Sequence, residues 1–515
     1  NWDLVAWERR DLEGLDIPRW TVQVDRGTFE APDGRPVEGV IAISGRDAFE
    51  RRVRGLCEDD LQRQLQLMAL TLDSDHHTEG HHVSEVSDTP TGKRELPGEG
   101  ASDQVLLAEA RAIADVLSER AVVGDDGSAI WLDPAHLAPK GRSDRGVSYY
   151  LYSGSVGIAV FLAAMDRALP GRGYRNLVDG ALLPVVRVLE EPNAAVLLAD
   201  EGIGACNGLG GVIYALTVIS DFLEEDGYLD VARGFAGHIT ADRIADDPAL
   251  DVEGGAAGAI LGLMALVDRT SDDVALDVAR ECGRALLDRQ QVADDHGGAW
   301  LSRQGGALAG LAHGASGGAL AMVRLWRRTG DDAFLDSARR AIEFENTLYD
   351  PFFKNWPLRL LADDGRIAQS KNMAAWCHGA PGIALARSCV RDVLPIAEAM
   401  GARETAVETT LAVDPAAGPD HLCCGTLGRV DVLLTVGAEL ERPVLRLEAE
   451  SRAAMVIRWA AGRGGYRLGT GHGPVRPGFF RGLAGVGYQM LRLRRPDDVP
   501  SVLAFQTVDL GGRAG

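Results

Sequence analysis

The chain has 515 residues, room for two to four domains or for one long repeat array. Lys and Arg number 53 against 75 Asp and Glu, and the formal charge of -22 repels phosphate backbones and argues against a nucleic-acid partner. Seven cysteines without regular spacing make no disulfide framework, and no apolar run reaches the roughly 18 residues of a membrane span, so a cytoplasmic protein with no transmembrane segment is expected.

Residues 1–73 read as a small mixed α/β piece. The chain starts at Asn1 rather than Met, which suggests a fragment or a processed product. Trp2 to Asp16 is charged and helix-prone, and Pro18 stops it. Alternation in Trp20 to Val24 and in Val37 to Ala42, with Asp33-Gly34 between, predicts short strands and a turn. Arg46 to Leu72 carries Phe49, Val53, Leu56, Leu61, Leu65 and Met68 at helical spacing, which predicts a helix or helix pair. Residues 74–104 then turn polar, with His76, His77, His81 and His82 and almost no large apolar group, so they read as a linker whose histidines bind metal at most adventitiously.

Residues 105–515 are helical and repetitive. A Gly-x-x-Gly followed by an apolar run begins at Gly154, Gly208, Gly255, Gly314, Gly379, Gly425 and Gly482, at intervals of 46 to 65 residues. Each interval holds one nearly all-apolar helix, which must be buried, and one amphipathic helix that can face water, as in Asp273 to Arg289 and Asp331 to Asn346. Seven such hairpins with their apolar helices inward close into an all-α fold, an α/α toroid. The glycines let the loops that start the inner helices approach one another at one mouth of the ring.

Reactive side chains stand just before those glycines. Asp251 precedes the third motif, His313 the fourth, Cys377 with His378 the fifth, and Cys423 with Cys424 the sixth. A single buried cysteine reads first as a core thiol, and Cys57, Cys206, Cys282 and Cys389 are read as core or surface thiols. Three thiols at equivalent places of two successive repeats read instead as soft ligands for zinc with a fourth position open. An imidazole at His313 suits proton transfer near neutral pH. Asp251 either orients that imidazole or merely caps a turn.

Gly310-Leu311-Ala312-His313-Gly314-Ala315-Ser316-Gly317, Trp376-Cys377-His378-Gly379-Ala380-Pro381-Gly382-Ile383, Leu422-Cys423-Cys424-Gly425 and Pro477 to Tyr488 resemble the signature motifs of lanthionine synthetase C-like cyclases. That resemblance implies an α/α toroid with a catalytic zinc (Zn2+) held by Cys377, Cys423 and Cys424, His313 as the acid/base and Asp251 as the active-site carboxylate. Many relatives carry Cys-His-Gly where this chain has Cys423-Cys424-Gly425, and some carry Arg four residues before the first ligand, where this chain has Met373; Lys371 and Arg366 are the nearby candidates to replace it. Trp7 to Pro18 and Asp60 to Gln64 are similar to the end of the dehydratase domain of class II, LanM-type synthetases, with no complete dehydratase present.

The resemblance therefore implies a lanthipeptide cyclase. Its partners would be a precursor peptide, leader plus dehydrated core, and the dehydratase domain of the same synthetase. A cysteine thiol of the peptide would add to dehydroalanine or dehydrobutyrine to give a thioether ring. The alternatives are glutathione addition to dehydroamino acids, as in LanC-like proteins, and a non-catalytic zinc-containing toroid that binds peptides.

Overall fold

The computed structural model describes residues 21–23, 28–30, 36–37, 43–58, 61, 64–65, 68, 100–133, 149–199, 201–293, 297–302, 306–361, 367–394, 397–469 and 476–508. The chain divides into two compact units, Asn1–Leu72 and Asp73–Gly515. In the first, Thr21–Gln23 pairs antiparallel with Thr28–Glu30, which pairs with Pro36–Val37. The middle strand is an addition to the two expected. The expected helix is present as Gly45–Arg54, with the Ser44 side chain accepting from Asp47 N. It buries none of its residues, and Phe49, Val53, Leu56, Leu61, Leu65 and Met68 are all exposed, so the apolar spacing marks a face and not a core. The helix expected over Trp2 to Asp16, most of the Val37 to Ala42 strand, and the four linker histidines lie outside the described residues.

The second unit is the ring of hairpins. All seven motifs start helices: Ser155–Ala168, Leu209–Leu223, Ala256–Thr270, Ala315–Thr329, Ala380–Cys389, Thr426–Glu439 and Leu483–Arg494 each take the first glycine of a motif as N-cap. These helices are buried nearly all round; in Leu209–Leu223, every residue from Leu209 to Phe222 is buried. Each packs on the next, and the last packs on the first, so the ring closes.

The outer layer is Tyr174–Glu190, Gly227–Ala236, Asp273–Arg289, Asp332–Thr347, Ala397–Ala412 and Pro443–Arg463, each against the inner helix before it. The seventh inner helix finds its outer partner at the other end of the repeat region, in Asp103–Glu119, capped by Ser102. The seventh hairpin is thus made from two distant segments. Closure of the ring couples the first helix of the unit to the last.

The second glycine of every motif is required by contact. A Cβ built at Gly157, Gly211, Gly258, Gly317, Gly382, Gly428 or Gly485 would stand 1.8 to 2.2 Å from the carbonyl oxygen six residues earlier. The helix start therefore lies directly on its own entry loop. The entry loops in turn bond to one another around the mouth. Tyr152 N donates to Cys206 O, Ala205 N to Val252 O, Val252 N to Ala312 O, Ala312 N to Cys377 O, Cys423 N to Phe480 O, and Phe480 N to Tyr152 O. Among the described backbone bonds, the step from the fifth loop to the sixth has no such link; there the cysteine side chains meet.

The C-terminal segment crosses the bore. Val502, Leu503, Ala504 and Phe505 are buried, and their surroundings come from across the ring: Tyr214 Oη donates to Gln506 O, Arg324 to Ala504 O and Phe505 O, Tyr488 Oη to Pro500 O, and Trp376 Nε1 to Leu503 O. Beyond it, at the mouth opposite the cysteines, lies a cavity of about 1030 Å³ lined by Arg324, Arg492, Pro500, Phe505 and Gln506 among others. The bore is divided rather than open.

Candidate metal centre and its acid–base neighbours

Buried latches hold the loops that carry the site. Glu345, fully buried on an outer helix, accepts from Gly310 N at 2.9 Å, from Ser316 N at 3.1 Å and from Ser316 Oγ at 2.6 Å, and pairs with Arg387 at 2.8 Å. This sets the turn at Gly310, whose φ of +109° favours glycine, and so aims His313. Asn355 does the same for the Cys377 loop: its Oδ1 accepts from Ala380 N at 2.9 Å and its Nδ2 donates to Met373 O at 2.7 Å. There Gly379 has φ +84°, and a Cβ would lie 2.0 Å from Met373 O. Asp420 ties the Cys423 loop to Arg463 and Arg467, and Asp247 accepts from the backbone of Ala249, Leu250 and Ala256 in the Asp251 loop. Burial pushes the Asp247 carboxyl up on balance, although these three N–H groups work against it.

Cys377, Cys423 and Cys424 are buried, form no disulfide, and present sulfur atoms that lie within 4.8 Å of one another. Hydrogen bonding from Cys377 and Cys423 holds the Cys424 thiol well below the usual range. Hydrogen bonding to Cys423 and Cys424, with burial, pushes Cys377 up; Cys423 is also raised, because its bond to Cys424 and its burial outweigh the help it receives from Cys377. Three sulfurs this close oppose one another's ionisation, and only Cys424 is lowered. A divalent cation is the partner that lets all three ionise, and an all-thiolate set of three suits zinc.

His313 stands beside this cluster, its ring stacked on that of His378 at 5.0 Å, one residue from Cys377. Its Nδ1 lies 2.9 Å from Asp251 Oδ2; a carboxylate only accepts, so this nitrogen carries a proton. Asp251 Oδ1 accepts from Gly254 N at 2.8 Å, so the residue caps a turn and orients His313 at once. Burial lowers the His313 pKa, but the hydrogen bond to Asp251 and the charges of Glu253 and Asp251 outweigh it, and the net shift is upward.

Several further side chains adjoin the site. Cys206, read above as a core or surface thiol, also stands in the same register as Cys377 and Cys423, two residues before the first glycine of its motif. It is buried, and burial with the nearby charges of Glu253, Cys423 and Asp251 keeps its thiol protonated. Tyr152 hydrogen-bonds to Cys423 and stacks on Phe480 at 5.0 Å, and Phe480 packs on Trp376 at 5.0 Å, an apolar wall on one side of the sulfurs. His421 is buried, and desolvation lowers its pKa to about 4, so it stays neutral. Of the positions considered in place of an arginine before the first ligand, Met373 is buried, Lys371 ends the strand Ile367–Lys371, and Arg366 lies outside the described residues. Arg481, in the loop of the seventh motif, is one of the positive groups that favour the Cys424 thiolate.

A family model described as lanthionine synthetase C-like protein matches residues 146–504. The chain is 20% identical over 389 residues to the lacticin 481/lactococcin biosynthesis protein LcnDR2 of Lactococcus lactis subsp. lactis, a match covering 75% of this chain and 38% of that protein. It thus spans about two-fifths of the length of this curated relative. Among solved structures the fold is similar to that of nisin cyclase, with a TM-score of 0.56 and 15% identity over 78% of this chain and 98% of the other.

Proposed function

The chain belongs to the lanthionine synthetase C-like family, and from that premise we propose that it is a zinc-dependent lanthipeptide cyclase. The observation that carries this reading is the meeting of three buried thiols, from the fifth and sixth motifs, beside the His313–Asp251 pair. Cys377, Cys423 and Cys424 would hold the metal, an all-sulfur set. Bound there, zinc would favour ionisation of an incoming substrate thiol at neutral pH.

The protein's own groups account for the rest. When the substrate sulfur adds to the β-carbon of dehydroalanine or dehydrobutyrine, the S–H bond is lost and the S–C bond forms, leaving an enolate. His313 supplies the proton that closes the new C–H bond. Asp251 fixes the ring through Nδ1 and leaves Nε2 for transfer. The substrate is read as a precursor peptide, leader plus dehydrated core, with a dehydratase domain of the same synthetase as its source. Residues 1–73 are read as the end of that domain, 74–104 as a linker and 105–515 as the cyclase. A cytoplasmic location fits this chemistry; among the described residues no helix is long and apolar enough to cross a membrane.

The test is ring formation on a pre-dehydrated peptide, followed by mass spectrometry after thiol alkylation. Loss of alkylatable thiol is expected with the intact protein and not with EDTA or with Cys423→Ala or Cys424→Ala. Undiminished ring closure in those samples would overturn the mechanism. Running glutathione beside the peptide separates cyclisation from intermolecular thiol addition.

A further inference from the structure

His313 presents both ring nitrogens to carboxylates. Besides the Asp251 bond at Nδ1, Glu253 Oε2 lies 3.4 Å from Nε2. Glu253 is itself held in place. Asn207 Nδ2 donates to its Oε1 at 3.0 Å, its carbonyl accepts from Cys206 N and Asn207 N, and its own N–H donates to Ala312 O. The carboxylate is therefore pinned where the second, third and fourth entry loops adjoin. The groups facing His313 are Asp251 and Glu253 from the third loop and the His378 ring from the fifth.

We propose that Glu253, tethered by Asn207, is a positioning residue for His313: it faces Nε2–H and, with Asp251, holds the ring as the imidazolium, so that His313 enters the cycle as acid rather than base. This rests on the cyclase reading. The protons then balance. The enolate takes the Nε2 proton, so that one N–H bond breaks as one C–H bond forms. The substrate thiol gives up one proton to solvent and the ring regains one from solvent at Nε2, beside Glu253 at 3.4 Å. No net proton is consumed. The upward shift of His313, against the opposing effect of burial, agrees with this geometry. Asp251 orients the ring and, through its hydrogen bond, favours the charged form most; Glu253 adds the second negative charge, on the Nε2 side.

The test is Glu253→Gln in the metal-loaded protein, with His313 followed by NMR on 13Cε1-histidine label and assigned with His313→Asn. The expected result is a fall of about one pH unit in the His313 midpoint, the order of effect for a charge at this distance. The alkaline limb of the cyclisation profile should move by the same amount, with circular dichroism unchanged. An unmoved midpoint overturns the inference. The titration needs no peptide, so it decides the role of Glu253 even where ring formation fails, and ring formation by an E253Q protein with an unmoved midpoint leaves the cyclase reading standing without it. If E253Q does not fold, Asn207→Ala, which unties the carboxylate without removing it, is read the same way: a smaller downward shift supports the inference and no shift ends it.

Discussion

The chemistry is concentrated in the two residues before the first glycine of each motif. One place back stand Ser153, Asn207, Gly254, His313, His378, Cys424 and Arg481; two places back stand Tyr152, Cys206, Glu253, Ala312, Cys377, Cys423 and Phe480. The cysteines and His313 were legible because thiols and imidazole are rare and reactive. Glu253, Asn207, Tyr152 and Phe480 were not, since such residues are common and their roles come from which loops adjoin around a closed ring. Glu345 was hidden in another way. It belongs to an amphipathic helix, where a glutamate reads as solvated surface, yet it is fully buried and paired with Arg387. Glu345→Ala strands that guanidinium and frees the His313 loop, so denaturant unfolding should show a loss of about 3–5 kcal/mol. A midpoint within experimental error of the parent would contradict the latch.

At the scale of elements, the seven inner helices could be read from their glycines because the constraint is local: each helix start lies on its own entry loop. The partner of the seventh inner helix could not, because Asp103–Glu119 reaches it only through ring closure. The short ribbons Gln291–Ala293 with Gly297–Ala299, and Leu358–Leu361 with Ile367–Lys371, also escaped notice; their strands are too short to carry a pattern. The two kinds of helix glycine give opposite expectations. Gly428→Ala would set a Cβ 1.8 Å from Leu422 O, beside Cys423, while Gly462, exposed in Pro443–Arg463, has nothing within 4 Å. Thermal unfolding should therefore fall for Gly428→Ala, by the order of 3 kcal/mol expected of core overpacking. Gly462→Ala should gain about 0.5–1 kcal/mol from helix propensity. Equal effects at the two sites would refute the contact argument.

For the whole molecule, the C-terminal segment separates the cysteine mouth from the cavity on the far side, and its Leu503 carbonyl receives the indole N–H of Trp376, next to Cys377. Removing residues 500–515 should cost stability and also lower zinc content, because the floor beneath the first ligand goes with it; full zinc occupancy in the shortened protein would show the segment to be mere cover. X-ray absorption on the purified protein reads the coordination of zinc at Cys377, Cys423 and Cys424 directly. One zinc per chain is expected, with three sulfur neighbours at about 2.3 Å and a fourth, lighter neighbour. Absence of zinc, a shell of four sulfurs, or a shell that keeps three sulfurs in Cys424→Ala would contradict it.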